Sequence, residues 1–244
     1  MIFDLSITQF SILGTIVFLA AFVQANLGVG FSFVAAPFIP FIEPELVPVS
    51  VLILGFFSST TISYQGLKYA IWREIRLSLL GRVVGTLLAY LLLLIVLSTK
   101  IFIIIYCLMI LVSVALSIIR ITPAFNPKNL FFASILSGLF GTISSVGGPP
   151  MAIIYQNRDP DVAKYNLSIL FSVGTLLSLL AIYFVDRLNF RNVLSAFLLL
   201  PFCFFGIMVA KYFVRLSSNL FRNILLIVAG SGALVLLLKT SLSL

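Results

Sequence analysis

Apolar runs of about 20 residues, the length that crosses the hydrocarbon core of a bilayer, follow one another along almost the whole chain. A soluble domain cannot use such runs, because its helices must turn a polar face to water, and an ordinary one is about 25% charged. Here 61% of the 244 residues are hydrophobic and 9% are charged, with a mean hydropathy of +1.24. The chain reads as an all-α integral membrane protein, one membrane domain over residues 1–244 with the lipid bilayer as its partner. The first run continues to about Phe41 without a charged start or a small-residue cleavage pattern, so it is expected to be kept rather than removed as a signal peptide.

The formal charge is +8, from 15 Lys and Arg against 7 Asp and Glu. The basic residues are scattered through short loops instead of gathered on one face, so no nucleic acid partner is expected and the charge informs membrane orientation. Cys107 and Cys203 lie inside apolar runs, where a packing role outweighs a redox one. Acidic residues fall only in loops or at span ends, and histidine is absent. No buried proton relay, metal motif, Ser-His pairing or cofactor site is therefore expected, and an enzyme is disfavoured.

Six runs read as simple spans, at roughly 48–66, 77–98, 101–119, 166–184, 193–213 and 220–238. Two others are odd. Residues 8–42 would reach about 50 Å as one helix, and residues 129–156 are also long; both are broken near the middle. The breaks are Asn26-Leu27-Gly28-Val29-Gly30 and Ser144-Ser145-Val146-Gly147-Gly148-Pro149-Pro150, where backbone freedom or a missing N–H interrupts the helix. They lie 119 positions apart, and the same offset superposes Gly55 on Gly174, Ser59 on Ser178, Tyr64 on Tyr183 and Lys68 on Arg187. Two related halves follow, repeat one over about 8–119 and repeat two over about 129–239, each a broken helix plus three transmembrane helices.

The distribution of Lys and Arg decides between crossing and re-entrant segments. If both broken segments cross, the two sides hold eight and six, almost no bias. If both are re-entrant hairpins, Lys68, Arg73, Arg76, Arg120, Lys128, Arg158, Lys164, Lys211, Arg215 and Arg222 share one side and Lys100, Arg187, Arg191 and Lys239 the other. Ten against four fits the positive-inside rule better. An inverted repeat with both termini outside the cytoplasm is the favoured reading, with eight full crossings as its alternative.

Non-helical backbone persists at membrane depth only where protein buries it or it lines an aqueous cavity, so the two breaks point to a binding site. Helices starting near Phe31 and Met151 would aim N-terminal N–H groups at the midplane, which attracts anions. Candidate substrate-binding residues are Gln24, Asn26, Gly28, Gly30 and Ser32 at the first break and Ser144, Ser145, Gly147 and Gly148 at the second, with Thr142 nearby. Arg82 joins them as the one charge well inside a span, either addressing an anion or snorkelling to the interface. Ser59, Thr60 and Tyr64 on one polar span and Ser172 and Thr175 on its counterpart are candidate pathway-lining residues. The competing reading makes the glycines close-packing devices and the hydroxyls partners of their own helices.

These residues also carry a likeness. The broken first helix with Gly28, Gly30 and Pro37, its echo at Gly147-Gly148-Pro149-Pro150, and the Lys68-to-Arg76 loop containing Trp72 resemble the TauE/SafE family of membrane permeases across essentially the full length. The resemblance implies a small sulfur-containing anion, such as sulfite, a sulfonate or thiosulfate, as substrate and outward transport across the cell membrane. The first motif reads Gly-Val-Gly, with less glycine than the family often shows, and Asn189-Phe190-Arg191 stands where a tryptophan is expected. The alternatives are a channel-like pore for a small solute and a non-transporting structural subunit of a membrane complex. The residues leave a homo-oligomer open.

Overall fold

The computed structural model describes residues 6–96, 98–118, 122–212 and 219–242. Asp4, Arg120 and Arg215 from the charge pattern lie outside the described residues, as does the side chain of Arg222. Ten α-helices and no strand occur among the described residues. They are α1 (Ile7–Leu27), α2 (Phe31–Ile42), α3 (Val49–Tyr64), α4 (Trp72–Ile95), α5 (Thr99–Ile118), α6 (Pro127–Ser144), α7 (Gly148–Tyr155), α8 (Pro160–Phe184), α9 (Phe190–Ala210) and α10 (Asn219–Leu242). Five of them, α1, α4, α5, α8 and α9, are long and apolar enough to cross a membrane.

Two helices begin before their apolar runs. Helix α4 starts at Trp72 rather than near 77, and α8 at Pro160 rather than near 166. Hydropathy marks only the lipid-compatible part of a helix, whereas its start is set by caps. The Asp159 carboxylate accepts from the N–H groups of Asp161 and Val162, and Pro160 follows at the first helical position. Glu74 supplies the acidic first turn of α4.

Both expected breaks are present. The first separates α1 from α2 at Gly28, with φ +74°, and Gly30, with φ +123°, angles that a side chain resists. The second separates α6 from α7, with Ser145 at φ +63°, and α7 begins at Gly148 rather than near Met151. Helix α7 doubles back along α6. Ser134 of α6 bonds Met151 of α7, the Phe125 and Tyr155 rings meet edge to face at 5.4 Å, and a Cβ on Gly147 would lie 2.5 Å from the Ser137 carbonyl.

Cross-contacts fix the running directions. Helices α4, α6 and α8 are parallel: Glu74 accepts from Asn166 while Arg82 lies over Phe171, and Gly81 faces Phe131 while Gly85 faces Ile135. Helix α3 runs against α8, with Thr60 on Ser172 and the following Gly66 on Tyr165. It runs with α9, since Ser50 bonds the Asn192 carbonyl and Leu54 accepts from Cys203. The bundle thus has a Trp72 end, where α4 and α8 begin, and an Asn189 end, where α3 and α9 begin.

Small residues carry the tightest seams, since apolar lipid offers no hydrophobic drive for helices to associate and close backbone approach must supply it. Gly81 and Gly85 of α4 meet Ser134 and Gly138 of α6, and a Cβ on Gly85 would come within 2.0 Å of the Ile135 carbonyl. Gly206 of α9 likewise lies against Phe18 of α1, 2.4 Å from that carbonyl for an added Cβ. Helix α4 is therefore packed closely on α6, and helix α9 on α1.

Candidate functional site

The two breaks meet at the centre of the bundle. Val29 of the first loop abuts Gly148 of the second, where a Cβ would lie 2.4 Å from the Val29 side chain. Beside this contact is a cavity of about 30 Å³ lined by Gln24, Gly30, Phe31, Ser59, Arg82, Ser145, Gly147, Phe171 and Thr175, among others. Space of that order holds a water or a few heavy atoms, not a chain.

Arg82 dominates the electrostatics of this cavity. It is 1% exposed and stands ten residues into α4, too deep to snorkel. Its Nη1 donates to the Ser137 hydroxyl at 2.8 Å, and its guanidinium lies 5.3 Å from the centre of the Phe171 ring. Its Nε has no hydrogen-bond partner. No carboxylate pairs with it among the described residues. An unpaired buried cation costs several kcal/mol, so the arrangement stores a demand for negative charge beside the cavity. Gly174 and Gly141 make room for the group: a Cβ on Gly174 would sit 1.8 Å from Nε, and one on Gly141 2.9 Å from Nη2.

Hydrogen bonds cross the bundle near both breaks, and Ser59 and Ser178, related by the sequence offset, each take part in one. Gln24 of α1 donates to Ser59 of α3 at 2.8 Å, and Thr142 of α6 pairs with Ser178 of α8 at 2.8 Å. Gln24 also accepts from the Phe31 N–H at 2.9 Å. That N–H, the first of α2, is therefore occupied by protein and is not free for a ligand.

The Trp72 end is closed. Glu74 accepts from Tyr155 and Asn166 and pairs with Arg158, Arg158 stacks over Phe125, and Tyr69 and Tyr165 stack with centroids 5.3 Å apart. The Asn189 end is open by contrast. A cavity of about 670 Å³ there reaches Pro48, whose carbonyl accepts from Ser145 of the central cavity.

A family model described as Sulfite exporter TauE/SafE matches residues 13–236. The chain belongs to that family. Comparisons with curated proteins and with solved structures find no match. As a TauE/SafE protein with five span-length apolar helices it is a multi-pass integral membrane protein of a transporter family rather than of an enzyme family, whose substrates are small anions. No cluster of metal-ligand residues occurs among the described residues.

Within this TauE/SafE chain the structure gathers Gln24, Gly30, Ser32, Ser59, Arg82, Ser145, Gly147, Gly148 and Thr175 around the central cavity. Six other expected residues lie off it. Asn26 donates to the Phe22 carbonyl and Ser144 to the Phe140 carbonyl, both one turn back in their own helices, and Gly28 is pressed against the Lys164 backbone. Thr60 and Ser172 bond each other at 2.6 Å, while Tyr64 is 79% exposed near the end of α3. Sequence reasoning missed Phe171 and Phe31, because aromatic residues are everywhere in such a chain. The offset pairing of Gly55 with Gly174 was the one signal that could have located the wall opposite Arg82.

Proposed function

We propose that this chain carries a small sulfur oxyanion, sulfite or an anion of its size, outward across the cell membrane, binding it in the central cavity between the two loop breaks. One observation carries the reading: Arg82 is a buried guanidinium with an unpartnered Nε, no carboxylate and a cavity beside it. An oxyanion accepts charge-assisted hydrogen bonds from such a group, while Gln24, Ser59, Ser145 and Thr175 offer neutral ones that still allow release. The small volume favours an anion without an organic tail. The abutting Val29 and Gly148 support a carrier over a continuous pore.

We read the chain as two inverted halves, about 8–119 and 129–239. Supporting this, exchanging α1–α5 for α6–α10 maps the observed packing onto itself: α4 on α6 and α8 becomes α9 on α1 and α3. Both hairpins would then be re-entrant from opposite faces. Lys68, Arg73, Arg76, Lys128, Arg158 and Lys164 fall at the Trp72 end, which makes that end cytoplasmic. Alternating access then exposes the cavity to either side in turn.

The test is calorimetric titration of detergent-purified protein with sulfite, thiosulfate, sulfoacetate, taurine and chloride, repeated on Arg82→Gln and Gly148→Leu. Saturable sulfite binding at the central cavity is expected, and both variants abolish it there. Silence across the panel from well-folded protein overturns the reading.

A further inference from the structure

The cavity at the Asn189 end holds features that a passive opening does not need. Three helix N-termini converge on it: Pro48 precedes α3, Thr99 begins α5, and Asn189 caps α9, all three among its lining residues. Each contributes a partial positive charge of roughly half a unit. Asn192, 5% exposed and also lining the cavity, has a side-chain oxygen with no hydrogen-bond partner. A carboxamide can present either its oxygen or, turned over, its NH2 group to a ligand.

Arg187 completes the wall. Its guanidinium donates to the Val96 carbonyl at the end of α4 and lies 5.2 Å from the centre of the Phe102 ring. It thereby cancels the negative end of α4, which would otherwise repel an anion. Partial burial draws its pKa below the usual guanidinium value, yet such a group stays cationic at neutral pH. Two carboxylates, Glu45 and Asp186, also line the cavity. Glu45 is engaged by Arg191 at 3.4 Å, and Asp186 is exposed at the rim.

We propose that this vestibule is a second anion site, an antechamber in which a small oxyanion is held by Arg187, Asn192 and the N-termini of α3, α5 and α9 before or after it occupies the central cavity. The two sites approach each other at the hydrogen bond from the Ser145 hydroxyl to the Pro48 carbonyl at 3.2 Å. Ser145 lines one cavity and Pro48 the other, so this contact lies on the boundary between them. The inference rests on the central-site reading for the identity of its ligand, not for the existence of the site.

Sulfite titration into the purified full-length protein separates the two. Wild type is expected to bind two sulfites per chain, Arg187→Gln and Asn192→Ala one, and Arg82→Gln one; Asn192→Ala stands in should loss of the Arg187 contact to α4 impair folding, as judged by size-exclusion profile. One sulfite per chain, lost in Arg82→Gln and untouched by both vestibule variants, overturns the antechamber and leaves the central site standing. One sulfite lost only in the vestibule variants supports the antechamber and removes the central site. No binding in any folded form overturns both.

Discussion

Gly174 offers a direct test of the central guanidinium, because its replacement by alanine displaces Arg82 without altering any charge. The new methyl would stand 1.8 Å from Nε, 2.3 Å from Cδ and 2.6 Å from Cζ of Arg82, far inside the contact distance of about 3.5 Å. The arginine side chain must swing away, and Nε leaves the cavity wall. A hydrogen bond to a charged group is worth about 1.5–3 kcal/mol, and each 1.4 kcal/mol is about tenfold in affinity, so sulfite affinity should fall about 10- to 150-fold. The fold should survive, since alanine favours a helix over glycine by about 1 kcal/mol.

A glycine away from the cavity supplies the control. A Cβ on Gly230 of α10 would meet nothing closer than the Val114 side chain at 3.4 Å, so Gly230→Ala should bind sulfite as wild type does. Calorimetry on both variants, with thermal unfolding monitored alongside, measures the contrast. In an Arg82→Gln background Gly174→Ala should cost nothing further, as expected of two changes acting on one group. Full affinity in Gly174→Ala, or an equal loss in Gly230→Ala, would refute the argument that Arg82 holds the anion.

Gly85→Ala should lower the unfolding temperature in detergent, because its Cβ meets the Ile135 backbone at 2.0 Å and overpacking of this kind costs about 1–3 kcal/mol; Leu87→Ala, on a side chain 56% exposed, should not. Single cysteines at Lys128 and Lys211 should react with a membrane-impermeant maleimide only after permeabilisation, and those at Lys100 and Lys239 in intact cells. Both native cysteines are buried and should stay silent, so a mixed pattern would refute the inverted arrangement. Thr60→Cys with Ser172→Cys, at positions whose hydroxyls are 2.6 Å apart, should form a disulfide on oxidation and stop sulfite flux in proteoliposomes reversibly, with reductant restoring it.

The broad architecture was readable because bilayer chemistry allows few solutions. Apolar length located the helices, four of the six expected simple spans being long and apolar enough to cross a membrane among the described residues, and backbone that cannot stay helical marked both breaks to within a residue or two. Caps were harder, since Asp159 and Glu74 lie outside the apolar runs that hydropathy detects. The site was legible where a residue type is costly in lipid: Arg82 stood out because no packing role requires a charge there. Hydroxyls were not. Ser144 and Asn26 look identical in sequence to Ser145 and Gln24, yet the first pair turn back onto their own helices and the second pair face the cavity. The difference is a matter of helix phase at a loop, which no period along the chain reports.

The charge has no counterpart under the sequence offset, since the shift that places Gly55 on Gly174 places Arg82 on Pro201. Its setting explains how one cation can serve both loops. The glycine seam packs α4 closely on α6, which sets Arg82 beside the second break. Helix α9 is tied to α1 by Gly14 and Gly206 in the same way. The two seams, α4 on α6 and α9 on α1, flank the contact of α3 with α8, where Thr60 and Ser172 bond each other. Sliding is cheapest there, because small-residue seams lose close backbone contact when displaced whereas a hydroxyl pair can exchange partners. Motion along α3 and α8 would carry Arg82, Gly147 and Gly148 past Gln24 and Gly30, and an anion held between them would feel the site open on one side as it closed on the other.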